Sequence, residues 1–252
     1  MRLIGFRALI KKDEDVLLSQ IKDAHRLFPE FSVILAVCGD EPSSTVLDAC
    51  SEVFYYGEKP RGFTYPWHLL VKYAQDYGAS ELILCDGDEQ FIFSELRRAY
   101  DNAGECDAVM PIRRKKPLFF SDTCIDRVLM EECENMLFRS ACPNALIDPQ
   151  PGAIMLLSHK AISCLDLEAV PSWIGDIVAT AQLIKSGCLI KELEMDVREQ
   201  ARTNVTLERE LLKIMQMERY FGESFLDVIP KKARYAHVRR CYEEYLHDRP
   251  CS

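Results

Sequence analysis

The chain has 252 residues, 48% apolar and 28% charged, with a formal charge of −9 and a pI of about 5.2. That length accommodates one large α/β domain or two small ones, and the acidity argues against general nucleic-acid binding, which needs a basic face. No stretch reaches the roughly 18 apolar residues of a transmembrane helix.

Strand-like and helix-like segments alternate from the N-terminus. RLIGFRALI reads as a buried strand. Its apolar run is too short for a signal peptide and is followed by charges. DEDVLLSQIKDAHRLF carries Val16, Leu17, Ile21, Ala24 and Leu27 at helical spacing, with Asp13 as an N-cap. FSVILAV is a second strand, SSTVLDACS a short helix and EVFYY a third strand. TYPWHLLVKYAQDYG reads as a helix stopped by Gly78, ELILC as a fourth strand, FSELRRAYDNAG as a helix and DAVMPI as a fifth strand. Beyond it, RVLMEECENMLFRS and WIGDIVATAQLIKSG predict helices, and AIMLLS and CLIKELEMDV predict strands. After residue 203 the chain reads as helical in two pieces broken by Pro230.

Apolar strands alternating with helices predict an α/β fold: a mostly parallel sheet with helices on both faces. The expected organisation is one domain over residues 1–203, with a helical C-terminal extension over 204–252 packed on it. In that extension Tyr235, Val238, Tyr242 and Tyr245 share a helical face. Core packing is the default reading; a homodimer or a membrane surface are alternatives. The eleven cysteines form no C-x-x-C pair and no spaced cluster with histidine. They are read as reduced thiols of a cytoplasmic protein.

The fourth strand ends in CDGDEQF. Residues two apart on a strand point the same way, so Asp86 and Asp88 can converge at the strand end, with Gly87 letting a ligand approach the backbone. Two carboxylates so close repel unless a cation joins them, and hard oxygen ligands suit Mg²⁺ or Mn²⁺ with phosphate and water completing the shell. A solvated D-G-D turn is the alternative. No Gly-rich phosphate loop of either common type is present.

The order of these features resembles that of the GT-A glycosyltransferases, specifically the family-2, dolichol-phosphate-mannose-synthase-like type, over roughly residues 2–200. FRALIKKDEDVL lies where that family opens its first helix with an acidic stretch. LAVCGDEPSS resembles its base-binding turn, with Asp40. KPRGFTYPWHLLVKYA resembles the Gly-containing turn and helix before the metal strand. LCDGDEQF matches D-x-D, and DAVMPIRRKK matches a strand ending at an arginine, Arg113. LIDPQPGAIMLLSHKA matches an Asp-x-x-x-Gly stretch through Asp148 and Gly152, and SWIGDIVATAQLIKSG places Asp176 where the family carries its base. The missing asparagine in the first stretch and the bulky Trp67-His68 depart from the pattern.

The resemblance implies a GT-A-like domain and a metal-dependent glycosyltransferase, moving a hexose from a nucleoside diphosphate sugar to a sugar, lipid or small-molecule acceptor, with inversion expected. It implies Asp88 as metal ligand and Asp86 as metal or ribose contact. It further implies Asp40 as acceptor from the nucleobase, Arg113 as a phosphate contact and Asp176 as the general base. A helix N-cap is the alternative role for Asp176, since aspartate is a favoured cap. Two other functions compete. One is a nucleotidyltransferase on a related sheet, although RALIKKDED lacks the glycine such a loop needs. The other is a non-catalytic domain that binds a nucleotide sugar or a partner.

Overall fold

The computed structural model describes residues 1–10, 14–87, 92–113 (backbone only for Arg113), 126–150, 154–196 and 205–248. Two compact units emerge: Met1–Arg114 with Leu146–Arg198, and Lys115–Ala145 with Glu199–Ser252. The sequence reading had set only the C-terminal segment apart. Here residues 115–145 group with it, and the sheet unit comprises the rest.

The sheet unit runs β1 (Arg2–Ile10), α1 (Glu14–Leu27), β2 (Ser32–Gly39), α2 (Ser44–Ala49), β3 (Glu52–Tyr55), α3 (Thr64–Asp76), β4 (Glu81–Asp86), α4 (Phe93–Asp101) and β5 (Ala108–Arg113). After the segment belonging to the other unit, where α5 (Arg127–Ala141) lies, come β6 (Ile154–Ser158), α6 (His159–Ser163), α7 (Gly175–Lys185) and β7 (Ile190–Met195). The seven strands form one sheet in the order β3-β2-β1-β4-β6-β5-β7. All described pairs are parallel except those of β6, which runs antiparallel to β4 and β5.

Apolar side chains alternate between the two faces of the strands and seed two cores. On one face Ile4, Phe6, Val33, Leu35, Ile83 and Cys85 pack against α1, α2 and α4. On the other, Leu3, Ile34, Ala36, Leu82, Leu84 and Met110 pack against α3, α6 and α7. This is the predicted sandwich. Gly78 and Gly187 end α3 and α7 with φ of +60° and +65°, a region that glycine enters at least cost. The short helix α6 went unpredicted, and β6 gave no hint of its reversed direction.

The helical unit contains α5, α8 (Leu207–Phe221), α9 (Phe225–Val228), a 3-10 turn (Ala233–Tyr235) and α10 (Ala236–Asp248). Asp126 caps α5 by accepting from the Val128 and Leu129 N–H groups, and Gly222, at φ +73°, stops α8. The C-terminal region is therefore broken at Gly222 as well as near Pro230. Tyr235, Val238, Tyr242 and Tyr245 are all buried. The Tyr242 ring meets Phe225 at 4.9 Å between centroids, so that stripe packs within its own unit.

Candidate active site at the carboxyl edge of the sheet

In a parallel sheet ligands bind outside the carboxyl ends of the strands. The registers align Ile10 with Gly39, Arg7 with Asp86, and Arg113 with Met195. The ends of β1, β2, β4, β5 and β7 thus share one edge, and β6 begins there. Asp40, Asp86 and Arg113 all fall at this edge, as expected.

Asp40 is exposed, and its backbone N–H donates to the Ile10 carbonyl at 2.9 Å. Gly39 before it has φ +98°, and a Cβ there would sit 1.8 Å from the Ile10 oxygen. Only glycine allows β2 to turn at that point. Tyr55, at the end of β3, donates its hydroxyl to the Gly39 carbonyl at 3.0 Å. Tyr56, the residue after it, is half-buried; burial, then a hydrogen bond with Cys38, pushes its hydroxyl pKa up.

Asp86 closes β4. Its side chain is 16% exposed and is held by Arg7, the residue beside it on β1. Nη2 of Arg7 donates to Oδ2 at 2.8 Å and Nε donates to Oδ1, so both carboxylate oxygens are engaged in a fork. Arg7 itself is 7% exposed. Its Nη1 donates to the Phe63 carbonyl at 3.3 Å, its guanidinium stacks on the Phe63 ring, and the Trp67 ring centroid lies 5.0 Å away. The Gly87 N–H donates to the Arg7 carbonyl at 2.9 Å. A Cβ on Gly87 would meet the Leu17 Cδ1 at 2.9 Å and the Ala8 Cβ at 3.1 Å, so a side chain there would crowd α1 and β1. Burial, then the Asp86 charge, push the Cys85 thiol up, which keeps it a neutral core side chain.

Asp176 lies in the first turn of α7 and is 4% exposed. The cap residue of that helix is Ile174, so Asp176 is inside the helix rather than its N-cap. The loop before α7 is clamped to the loop before α3. Phe63 and Thr64 N–H groups both donate to the Ser172 carbonyl, at 2.6 and 2.9 Å, and the Thr64 hydroxyl donates to the Pro171 carbonyl at 2.6 Å. Two glycines make that approach possible. A Cβ on Gly62, at φ +86°, would lie 2.4 Å from the Ser172 Cβ, and one on Gly175 would lie 2.8 Å from the Thr64 Oγ1. A chain of contacts therefore runs from Asp86 through Arg7, Phe63 and Ser172 to the start of α7.

Asp88 and Gly152 lie outside the described residues, as does the side chain of Arg113. Asp148 is buried, and its N–H donates to the Glu192 carboxylate of β7 at 2.7 Å. The sequence reading missed Arg7, Phe63 and the two tyrosines at the end of β3, Tyr55 and Tyr56. Arg7 did leave a signal: an arginine inside a strand apolar on both faces requires a buried anion.

No protein-family model matches the sequence, and no curated protein sequence matches it. Solved structures do. Glucosyl-3-phosphoglycerate synthase from Mycobacterium tuberculosis aligns with a TM-score of 0.62 at 12% identity, over 88% of this chain and 82% of that one. The same synthase holding Mn²⁺, UDP and glucosyl-3-phosphoglycerate aligns at 0.63 and 12%, over 88% and 81%. Its complex with Mn²⁺ and UDP-glucose aligns at 0.63 and 12%, over 88% and 80%. At such identity what is shared is the fold. The mostly parallel seven-stranded sheet between helical layers is the GT-A fold of these neighbours.

Proposed function

We propose that the chain is a metal-dependent glycosyltransferase that moves a hexose from a nucleoside diphosphate sugar to an acceptor hydroxyl. The observation that carries this reading is the joining of the Asp86 strand end to the Asp176 helix start, through Arg7, Phe63 and Ser172, at the carboxyl edge of a GT-A sheet. The matched synthase was solved with UDP-glucose and with UDP, which makes UDP sugars the first donors to test. The acceptor class, whether sugar, lipid or small hydroxylated molecule, is left to assay. No helix among the described residues is long and apolar enough to cross a membrane. A reducing, cytoplasmic location belongs to the same proposal, on the cysteine pattern of the sequence.

The oxygen donors of the D-x-D motif suit a hard cation. Among the described residues no three His, Cys, Asp or Glu side chains gather closely enough to hold a metal by themselves. Mg²⁺ and Mn²⁺ are commonly bound by one or two carboxylates, with substrate phosphates and water completing the shell. Asp88 is assigned to hold the cation, which when bound neutralises charge on the departing nucleoside diphosphate. Arg113 is assigned to donate to phosphate oxygens, and Asp40 to accept from a nucleobase N–H. Asp176 takes the acceptor hydroxyl proton as that oxygen attacks the anomeric carbon from the face opposite the leaving group, which inverts configuration.

Thermal unfolding with UDP, GDP, ADP and dTDP, each with and without Mn²⁺, tests this reading. A ligand at about a hundred times its dissociation constant stabilises by roughly 2.7 kcal/mol. The expected result is a metal-dependent shift with one nucleotide, lost in Asp88→Ala. A folded protein that responds to none would sink the proposal. Asp176→Asn should keep the shift and lose transfer; if transfer survives, Asp176 is not the base.

A further inference from the structure

We infer that Asp86 is not a metal ligand, and that Arg7 is a positioning residue which claims both of its oxygens to set the geometry of the site. This rests on the glycosyltransferase reading and sharpens it. A carboxylate that coordinates a cation must turn at least one oxygen toward it. Here the lone pairs of Oδ1 and Oδ2 that face Arg7 each accept from a different nitrogen of one guanidinium, so a cation would have to share the carboxylate with that positive group. That guanidinium cannot easily swing aside. It is 7% exposed, stacked on Phe63, near Trp67, and tied by its third nitrogen to the Phe63 carbonyl. It carries a permanent charge, so a divalent cation brought to Asp86 would meet a fixed positive group.

The same fork explains why an arginine occupies this strand. Arg7 grips β4 through Asp86 and grips the 62–64 loop through Phe63. That loop in turn holds Ser172, just ahead of α7. One side chain thereby fixes the metal-motif strand relative to the helix that carries Asp176. Lysine could supply the charge but not the planar fork.

The test measures Mn²⁺ affinity by electron paramagnetic resonance, in the presence of each of the four nucleoside diphosphates. Wild type is compared with Asp86→Asn, Asp88→Asn and the doubly neutral Arg7→Gln/Asp86→Asn. Even outer-shell partners of a metal cost roughly 10–100-fold when lost, so removing a true ligand should cost at least as much. Asp88→Asn is expected to show such a loss. Asp86→Asn, and the double variant that neutralises both partners, are expected to lose at least about tenfold less affinity than Asp88→Asn, because they disturb the support of the site and not a ligand. A loss in the folded Asp86→Asn or in the folded double variant as large as that of Asp88→Asn overturns the inference. A wild type that binds no Mn²⁺ with any nucleotide overturns the glycosyltransferase reading instead, and this inference falls with it.

Arg7→Lys supplies the second readout, through slow transfer of the donor sugar to water. A misplacement of about 1 Å can cost on the order of a hundredfold in rate, so the turnover number should fall at least about tenfold with donor KM nearly unchanged. Wild-type kinetics in a merely less stable Arg7→Lys would show that the residue only supports the fold.

Discussion

Arg7 with Asp86 in the sheet unit, and Glu134 with Glu210 and Lys213 in the helical unit, are both charged groups withdrawn from water, but they are balanced differently. The first is one cation on one anion, with two N–H groups meeting two oxygens. The second sets the Lys213 ammonium between two carboxylates, with Nζ 2.8 Å from Glu134 and 3.5 Å from Glu210, and the mostly buried Arg127–Glu131 pair, 3.1 Å apart, adds one charge of each sign beside Glu210. Glu134 is fully buried, and that burial pushes its pKa well above the ordinary 4.5 even though Lys213 opposes the shift. At Glu210 burial also acts upward, but the Lys213 charge and a hydrogen bond with Glu134 outweigh it and hold the group low. The lesson is that a fork of matched charge makes a rigid joint at the candidate site, whereas a surplus carboxylate makes a proton-dependent one in the other unit.

Removing Arg7 should break the first cluster most severely. Arg7→Met takes the guanidinium away from both oxygens of a mostly buried carboxylate, and breaking a buried pair in this way costs about 3–5 kcal/mol. Urea denaturation measures it. Arg7→Met/Asp86→Leu should recover most of the loss, since apolar side chains often replace a buried pair without cost. If the single substitution costs less than about 1 kcal/mol, the figure usual for an exposed pair, the joint is open to water and the contrast with the helical unit fails.

A smaller effect tests whether the rigid joint reaches Asp176. In Gly175→Ala the new Cβ would meet Thr64 Oγ1 at 2.8 Å and its Cα at 3.0 Å. The second contact is backbone and cannot rotate away. Overpacking of this kind costs typically about 1–3 kcal/mol. The expected outcome is a lower melting temperature together with slower sugar transfer, because the start of α7 must move off the 62–64 loop. Full turnover in this variant would mean that the position of Asp176 is not set by that contact.

These joints show where the sequence could be read and where it could not. The strand RLIGFRALI and the helix from Thr64 to Asp76 were legible because their apolar spacing and the stop at Gly78 are local signals. Asp86 at the end of β4 and Asp176 at the start of α7 followed from motif order and stand on those elements. The Arg7 fork was illegible because its partner lies 79 residues away, and only the register of β1 against β4 brings them together. The reversal of β6 was hidden because a five-residue apolar strand carries no mark of direction. The grouping of residues 115–145 with the C-terminal helices was hidden too, since no linker or change of composition marks the join. It rests on contacts such as the Phe138 and Phe221 rings at 5.8 Å and the Glu134–Lys213 pair, which connect residues distant in the chain.

The gentlest change bears on the proton-dependent cluster. Glu134→Gln keeps the shape and puts a neutral amide in place of the carboxyl. Where wild type already carries a proton there, the substitution should move stability by no more than about 1 kcal/mol, the worth of a typical hydrogen bond. The pH dependence is the sharper readout. A carboxyl whose folded pKa is raised contributes stability that is fully present below its unfolded value, near 4.5, and is lost as pH rises through the folded value. Glu210, held low, contributes the opposite: stability present above its unfolded value and lost as pH falls through its folded one. Wild type should therefore lose stability as pH rises above about 4.5, while Glu134→Gln lacks that decline and becomes the more stable of the two at alkaline pH. Urea midpoints taken from pH 5 to 9 decide it. Parallel curves for the two proteins would mean that Glu134 is ionised throughout, and the helical unit would then hold its charges as the sheet unit does.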